Sequence, residues 1–438
     1  MIPGALLTPA FYRGMTRLAA PLVPMLLARR TRQGKEDPSR LGERQGQTSL
    51  RRPTGFLVWI HAASVGESLS ILPLISRLTN EHSAINILVT SGTRTSATLL
   101  DERLPARATH QYVPVDHPGS VRRFLDHWQP DMALWVESEL WPNLVLQTAA
   151  RKIPMALINA RMSARSARRW RRLPNLAAPL MDAFDIVLAQ SSSDADRFRT
   201  LGATTVRAIG NLKYDGPPPP ADAADVTALS AAINRRPHWL AASTHPGEEE
   251  AVAAAHKTLA ARHPALLTIL CPRHPARGPE IAAHMERLGL NVTRRSQGDT
   301  LTSQTNVYLG DTLGEMGLFY RVADIAFIGG SLMPHAGHNP VEAAQLGCAL
   351  LAGPDMRNFE GAAAALAQAD ALQTVSDAAA LSMGVDELLH DPGFRAAAGD
   401  RAHQCATTLT GALDTTLAAL SQWLPARIGT EDQNHADA

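Results

Sequence analysis

The chain has 438 residues, 45% hydrophobic and 19% charged, with a formal net charge of +1. That composition excludes a disordered chain, the length suits two domains, and the balanced charge excludes a globally basic, nucleic-acid-binding protein. The three cysteines, Cys271, Cys348 and Cys405, are far apart and form no C-x-x-C; this excludes a disulfide framework and a structural zinc site and fits a reducing cytosol.

Residues 5–28 are largely apolar but carry Arg13 and Arg17. The uninterrupted stretch Leu18–Ala28 contains Pro21 and Pro24 and precedes Arg29, Arg30 and Arg32. It is about half the roughly twenty residues that cross a bilayer. No positive region precedes it, as a signal peptide requires. Two readings of residues 1–32 stand side by side. One is an interfacial anchor, with arginines at anionic headgroups on the cytoplasmic side; the other is a helix packed on the body of the protein.

Residues 33–52 are polar and basic and read as a linker or loop. Beyond them strands and helices alternate. Phe56–Ile60, Ile85–Thr90, Gln111–Val115, Met132–Val136, Met155–Asn159 and Ile186–Ala189 are short apolar strands. Glu67–Leu78, Thr95–Glu102, Val121–Trp128 and Leu140–Ala150 read as the intervening helices. The Pro-rich run at 215–222 interrupts the pattern as a stiff linker. Strands then resume at Trp239–Ala242, Leu267–Cys271, Val307–Leu309, Ile325–Gly329 and Ala349–Ala352, and a helical stretch covers 396–424. Short strands alternating with helices predict parallel βαβ units. The expected layout is a first α/β domain over 33–214, a second over 223–427 that includes the C-terminal helix, and a disordered tail at 428–438. Two doubly wound domains would face a central cleft, with ligands beyond the carboxyl ends of the strands.

Strand ends therefore carry the motifs of interest. His61-Ala62-Ala63-Ser64-Val65-Gly66-Glu67 follows the first strand. Glu67 is either a general base or a helix-capping carboxylate. Glu137-Ser138-Glu139-Leu140-Trp141-Pro142-Asn143 follows Met132–Val136 and places two carboxylates at a strand end, which is costly unless they are solvated or partnered. Lys213, in Gly210-Asn211-Leu212-Lys213-Tyr214-Asp215, sits just before the linker, where it either reaches an anionic ligand or is simply solvated.

The second half offers an anion-binding set. Ser243 and Thr244 supply hydroxyls, and Arg273 and His274 follow the next strand. Arg273 has the planar fork that pairs with phosphate or carboxylate. Glycine turns follow at Leu313-Gly314-Glu315 and at Gly329-Gly330-Ser331, and a helix opens at Asn339-Pro340-Val341-Glu342. His245, His274 and His338 do not fall at a compact metal-ligand spacing, so no metal is expected. Arg161, Arg165, Arg168, Arg169, Arg171 and Arg172 form a basic run with Trp170 and no acidic residue at helical spacing. It reads as a solvated face; the interleaved basic and aromatic residues suit nucleic acid and, equally, a phosphorylated lipid at a membrane surface.

Taken together, H-A-A-S-V-G-E, E-S-E-L-W-P-N, N-A-R-M-S-A-R-S, G-N-L-K-Y-D, A-S-T-H-P-G-E-E-E, P-R-H-P, G-D-T-L-G-E-M and G-G-S…G-H-N-P-V-E-A-A resemble the bacterial Kdo (3-deoxy-D-manno-octulosonic acid) transferase family, in its order, over roughly residues 55–345. The resemblance implies a glycosyltransferase-B fold of two Rossmann-like domains. It implies inverting transfer of Kdo from CMP-Kdo to the lipid A precursor at the cytoplasmic face of the inner membrane, with no metal or other cofactor and no nucleic acid. It implies Glu67 as the base, with Glu137 and Lys213 stabilising the transition state. It also implies CMP contacts at Arg273, His274, Leu313, Gly314, Glu315, Asn339, Pro340, Val341 and Glu342. Ser243, Thr244, Ser331, Arg161 and Arg165 are further candidates for Kdo or lipid phosphates. The alternatives are a UDP-sugar enzyme of the same fold and a two-lobed sugar-nucleotide-binding protein.

Overall fold

The structure, a computed structural model, describes residues 7–216 and 218–426. The expected disordered tail and Pro217 of the expected linker lie outside the described residues.

The chain forms two compact units, residues 1–215 with 410–438, and residues 216–409. The first carries strands β1 (Phe56–His61), β2 (Ile85–Ser91), β3 (Ala108–Tyr112), β4 (Met132–Val136), β5 (Met155–Ala160), β6 (Ile186–Ala189) and β7 (Val206–Ala208). They form one sheet in the order β3-β2-β1-β4-β5-β6-β7, every pairing parallel. Side chains alternate across a strand. Accordingly Leu57 and Trp59 of β1 join a core cluster with Trp135 and Phe124, while Val58 and Ile60 join a second with Leu134 and Ile75. Burial of both faces is why these strands read as continuous apolar runs.

The second unit repeats the plan with β8 (His238–Thr244), β9 (Leu267–Pro272), β10 (Val292–Arg294), β11 (Val307–Leu309), β12 (Ile325–Ile328), β13 (Ala349–Ala352) and β14 (Leu372–Thr374). Their order is β10-β11-β9-β8-β12-β13-β14, again all parallel. In each sheet the strand order reverses once, between β1 and β4 and between β8 and β12. Such reversals leave a crevice at the carboxyl ends of the strands.

At the N-terminus stand α1 (Pro9–Leu18) and α2 (Leu22–Arg32). Tyr12 of α1 donates to Asp116 at 2.9 Å, and Thr16 accepts from Asn143 at 3.0 Å, so one face is docked. Phe11, Met15, Leu18, Leu22, Met25 and Leu26 are exposed, Leu18 at 84%. The stretch expected as a linker at 33–52 is anchored instead. Glu36 is buried between Arg30 and Arg44, and Glu43, in α3 (Leu41–Arg44), accepts the Tyr112 amide at 2.7 Å.

The C-terminal helical stretch is corrected in its assignment. It splits into Pro392–Leu409 and Ala412–Leu420, and the second helix belongs to the first unit. Its Leu413, Leu417 and Leu420 are buried in the cluster built on Ile71 and Leu78. The proline run lies along the helix Met316–Val322: a Cβ at Gly317 would sit 2.2 Å from the Pro220 carbonyl oxygen. Only glycine permits that approach.

Candidate active site

In the first unit, β1 ends at His61 and α4 (Val65–Glu81) begins four residues later. Ser64 caps α4, its hydroxyl accepting the Glu67 amide at 3.3 Å. The Glu67 carboxylate reaches back, accepting the Ser64 hydroxyl at 2.7 Å and the Ala63 amide at 2.8 Å. The capping arrangement is thus realised, and it locks the carboxylate where chemistry could use it. Glu67 is 7% exposed. Burial pushes its pKa up to about 7 against the two hydrogen bonds, and the charges of Glu137 and Glu139 push the same way. A carboxylate poised near neutrality is half ionised at working pH, as a general base requires.

Glu137 stands directly after β4, on the other side of the strand-order reversal. Its backbone is left-handed, with φ of 59°, and its amide donates to the Ile158 carbonyl at 3.1 Å. Lys213 donates to the Glu137 carboxylate at 2.9 Å. The short turn Leu212–Tyr214 that carries Lys213 is held by Asn211, which accepts the Lys213 amide at 3.0 Å, and by Asn159, which accepts the Leu212 amide at 3.1 Å. Glu139 is engaged elsewhere, accepting the Trp141 indole N–H at 2.9 Å. The structure therefore brings Glu67, Glu137 and Lys213 together, two carboxylates and a cation at one sheet crevice.

Beside them lies a cavity of about 360 Å³ whose walls include Leu26, Leu27, Arg30, His61, Ala63 and Trp141. His61 is fully buried; its Nδ1 lies 3.0 Å from the Thr90 hydroxyl, and its Nε2 has no partner among the described residues. Burial holds this imidazole down at about 4, and hence neutral.

Arg161 and Arg165 are exposed, on and near the helix Ala164–Trp170. Arg168 and Arg171 line a shallow depression of about 400 Å³ with Arg197 and Asp196. Arg197 and its ion-pair partner Asp194, at 3.1 Å, come from the helix Ser192–Thr200. Asp196 of that helix lines the same depression, an acidic neighbour that spacing within the basic run does not reveal.

In the second unit, Arg273 and His274 are exposed just beyond β9. Asn339 donates to Glu342 at 3.1 Å and accepts the Val341 amide at 3.1 Å, and Pro340 is buried. Burial raises the Glu342 pKa, opposed by the Asn339 bond and by the charge of Arg273. Arg273, Asn339 and Glu342 thus form one group. Leu313, 85% exposed, and Gly314, with φ of 85°, lie on the loop after β11. Glu315 there is ion-paired with Arg295 at 2.6 Å, which lowers its pKa.

Three candidates of the second unit take structural positions. Ser331 is fully buried, donating to the Ile328 carbonyl and accepting the Gly353 amide at 2.7 Å. Thr244 is also fully buried, donating to Glu249 at 3.1 Å. Ser243 is half-buried in a left-handed bend with φ of 57°. The amides of the Gly329-Gly330-Ser331 turn are not free for a phosphate. Glu248, wholly buried, accepts from His245 at 2.9 Å, Gly330 at 2.7 Å, and Ser331 and Leu332 at 2.9 Å each. An internal carboxylate therefore satisfies the turn that the sequence offered as an anion site. Among the described residues no group of three or more His, Cys, Asp or Glu is placed to hold a metal ion.

A family model described as 3-deoxy-D-manno-octulosonic-acid transferase matches residues 39–216. The chain is similar to the 3-deoxy-D-manno-octulosonic acid transferase of Haemophilus influenzae, 33% identical over 94% of this chain and 98% of that one. It is likewise similar to the enzyme of that name from Rickettsia bellii, 36% identical over 87% and 90% of the two chains. Among solved structures, a glycosyltransferase from Rickettsia africae aligns over 85% of this chain and 99% of its own, with a TM-score of 0.57 and 12% identity; this likeness bears on the fold alone. Two doubly wound parallel sheets, with this relationship along nearly the whole length, identify a glycosyltransferase-B enzyme, and the chain belongs to the 3-deoxy-D-manno-octulosonic acid transferase family.

Proposed function

We propose that this transferase moves Kdo from CMP-Kdo to a hydroxyl of the lipid A precursor by one in-line, inverting displacement, with Glu67 as general base. The observation that carries this reading is Glu67 itself: a buried carboxylate with a pKa near 7, fixed by two hydrogen bonds at the first sheet's crevice. The acceptor oxygen attacks the anomeric carbon, its proton passes to Glu67, and the bond to the phosphate oxygen breaks with its electron pair leaving on CMP. The transition state has oxocarbenium character, as in glycoside hydrolysis. Glu137, paired with Lys213, stabilises that positive charge, and Lys213 holds the carboxylate in place. Arg273 and the Asn339–Glu342 group would receive the nucleotide. The cavity under α2 beside Ala63 would admit the acceptor, with Arg30 at its wall.

Among the described residues no helix is long and apolar enough to cross a membrane. The exposed apolar face of α1 and α2, interspersed with Arg13, Arg17 and Arg29, fits the anionic interface of the inner membrane's cytoplasmic leaflet. The deciding measurement is CMP release from CMP-Kdo, with and without tetraacylated lipid A precursor, for wild type and Glu67→Ala. Lipid-dependent release with a Kdo-sized mass gain, lost in the variant, supports the reading. Release that does not depend on the lipid precursor overturns the acceptor, and full activity of the variant overturns the base.

A further inference from the structure

The second sheet reverses between β8 and β12, and each of these strands delivers imidazoles to the crevice. His245 follows β8, and His335 and His338 lie on the loop after β12. Nε2 of His245 is 2.9 Å from Nε2 of His338, with the ring planes 9° apart. His335 stacks on His245 with centroids 4.2 Å apart, and His274 stands nearly perpendicular at 6.0 Å. The backbone beneath is fixed by Glu248, which takes the amides of both His245 and Gly330. Gly330 leaves the space the rings occupy: a Cβ there would lie 3.0 Å from one carbon of the His338 ring and 3.4 Å from one of His245.

The bridge between two Nε2 atoms sets a limit on charge. It needs one protonated and one bare nitrogen. The pair can therefore be neutral, or can carry one extra proton on an outer nitrogen, and keep its bridge. A second extra proton would set N–H against N–H. In the resting protein the neutral state is favoured. Burial, the facing imidazole and Arg273 hold His338 down at about 4, and burial with His335 lowers His245. The facing groups are Arg273 and His274 from the β9 end, His335 from the pair's own loop, Glu248 from below, and Glu342 beyond Arg273.

On the reading of CMP-Kdo as donor, the reaction changes the charge on the donor's phosphate. A CMP-sugar phosphodiester carries one negative charge; released CMP is a monoester whose second ionisation lies near 6, so it gains roughly one more at neutral pH. Arg273 is charged throughout and cannot respond. An imidazole pair with room for one proton can.

Resting on the reading of CMP-Kdo as donor, we propose that His245 and His338 form a proton-holding pair for the departing nucleotide phosphate. They take one proton from solvent as that phosphate becomes a dianion. As the glycosidic bond forms and the anomeric carbon–phosphate bond breaks, the electron pair stays on the phosphate oxygen. The acceptor's proton goes to Glu67, and the pair's extra proton balances the new charge.

The test is calorimetry of CMP binding to the full chain at pH 7 in two buffers of different ionisation heat, which counts protons without turnover. Wild type is expected to take up roughly one proton with CMP and none with cytidine. His338→Gln and, independently, His245→Gln should bind CMP with uptake near zero, and kcat should fall by about 10²-fold. CMP binding to wild type without proton uptake, or uptake surviving in both variants, overturns the pair's role and leaves the donor reading intact. Absence of CMP binding overturns the donor reading and this inference together.

Discussion

Glu67→Gln should separate the cost of the base from its use. In the folded chain the carboxyl titrates at about 7 rather than 4.5. A raised carboxyl pKa means the folded state keeps a proton that the unfolded chain has released, so stability falls as pH rises from about 4.5 to about 7 and is level above. At 1.36 kcal/mol per unit the full shift corresponds to roughly 3 kcal/mol, most of which accrues between pH 5 and pH 8. Glutamine has no such titration. It keeps one acceptor oxygen for the Ala63 amide and the Ser64 hydroxyl, a pH-independent loss of about 1 kcal/mol. The variant should therefore be no more stable than wild type at pH 5 and about 1–2 kcal/mol more stable at pH 8, while its transfer rate collapses. Urea unfolding followed by tryptophan fluorescence reads this directly, because Trp59, Trp128, Trp135, Trp141, Trp170 and Trp423 belong to the first unit and Trp239 alone to the second. A stability difference that does not change with pH would refute the assignment of a perturbed carboxyl at this position.

For wild type, kcat/KM should rise through an acidic limb with a midpoint near 7, and a pH profile of the rate at limiting substrate checks it. Lys213→Met should lower kcat by about 10²-fold with little effect on the unfolding midpoint, because the ion pair with Glu137 is partly solvated and contributes no more than about 1 kcal/mol. Glu248→Ala leaves four amides without their acceptor; it should destabilise the second unit by about 3–5 kcal/mol, measured by hydrogen exchange of the residues around β8 and β12. Replacing Leu18, Leu22 and Met25 together by Asp should abolish co-sedimentation with anionic vesicles while the unfolding midpoint is unchanged.

The parallel strands at the centre of each sheet were legible because both faces are buried and the apolar runs are unbroken. The strands that escaped are β7, β10 and β14, three-residue edges whose side chains are partly solvated and leave no run to read. β3 lies earlier than expected, at Ala108–Tyr112, because its polar residues are buried by partnership: His110 lies 2.9 Å from the Ser91 hydroxyl, and Gln111 accepts the Trp128 indole N–H. At the site, Glu67, Glu137 and Lys213 were readable as motifs, but their convergence depends on strand order, which spacing does not encode. The glycine turn after β12 looked like a phosphate cradle only because its occupant, Glu248, lies some eighty residues away in the chain.

The helix Ala412–Leu420 has a consequence for synthesis. The second unit is an insertion within the first, and Asp215 accepts amides from Gly411 and Leu413, so the outgoing and returning chains are tied at one point. As the ribosome works from the N-terminus, residues 216–409 are available to fold while the first unit still lacks the helix that covers Ile71 and Leu78. The earlier-synthesised half is the last to be completed, and a nascent chain halted before residue 410 would carry a sealed second unit beside an open apolar groove.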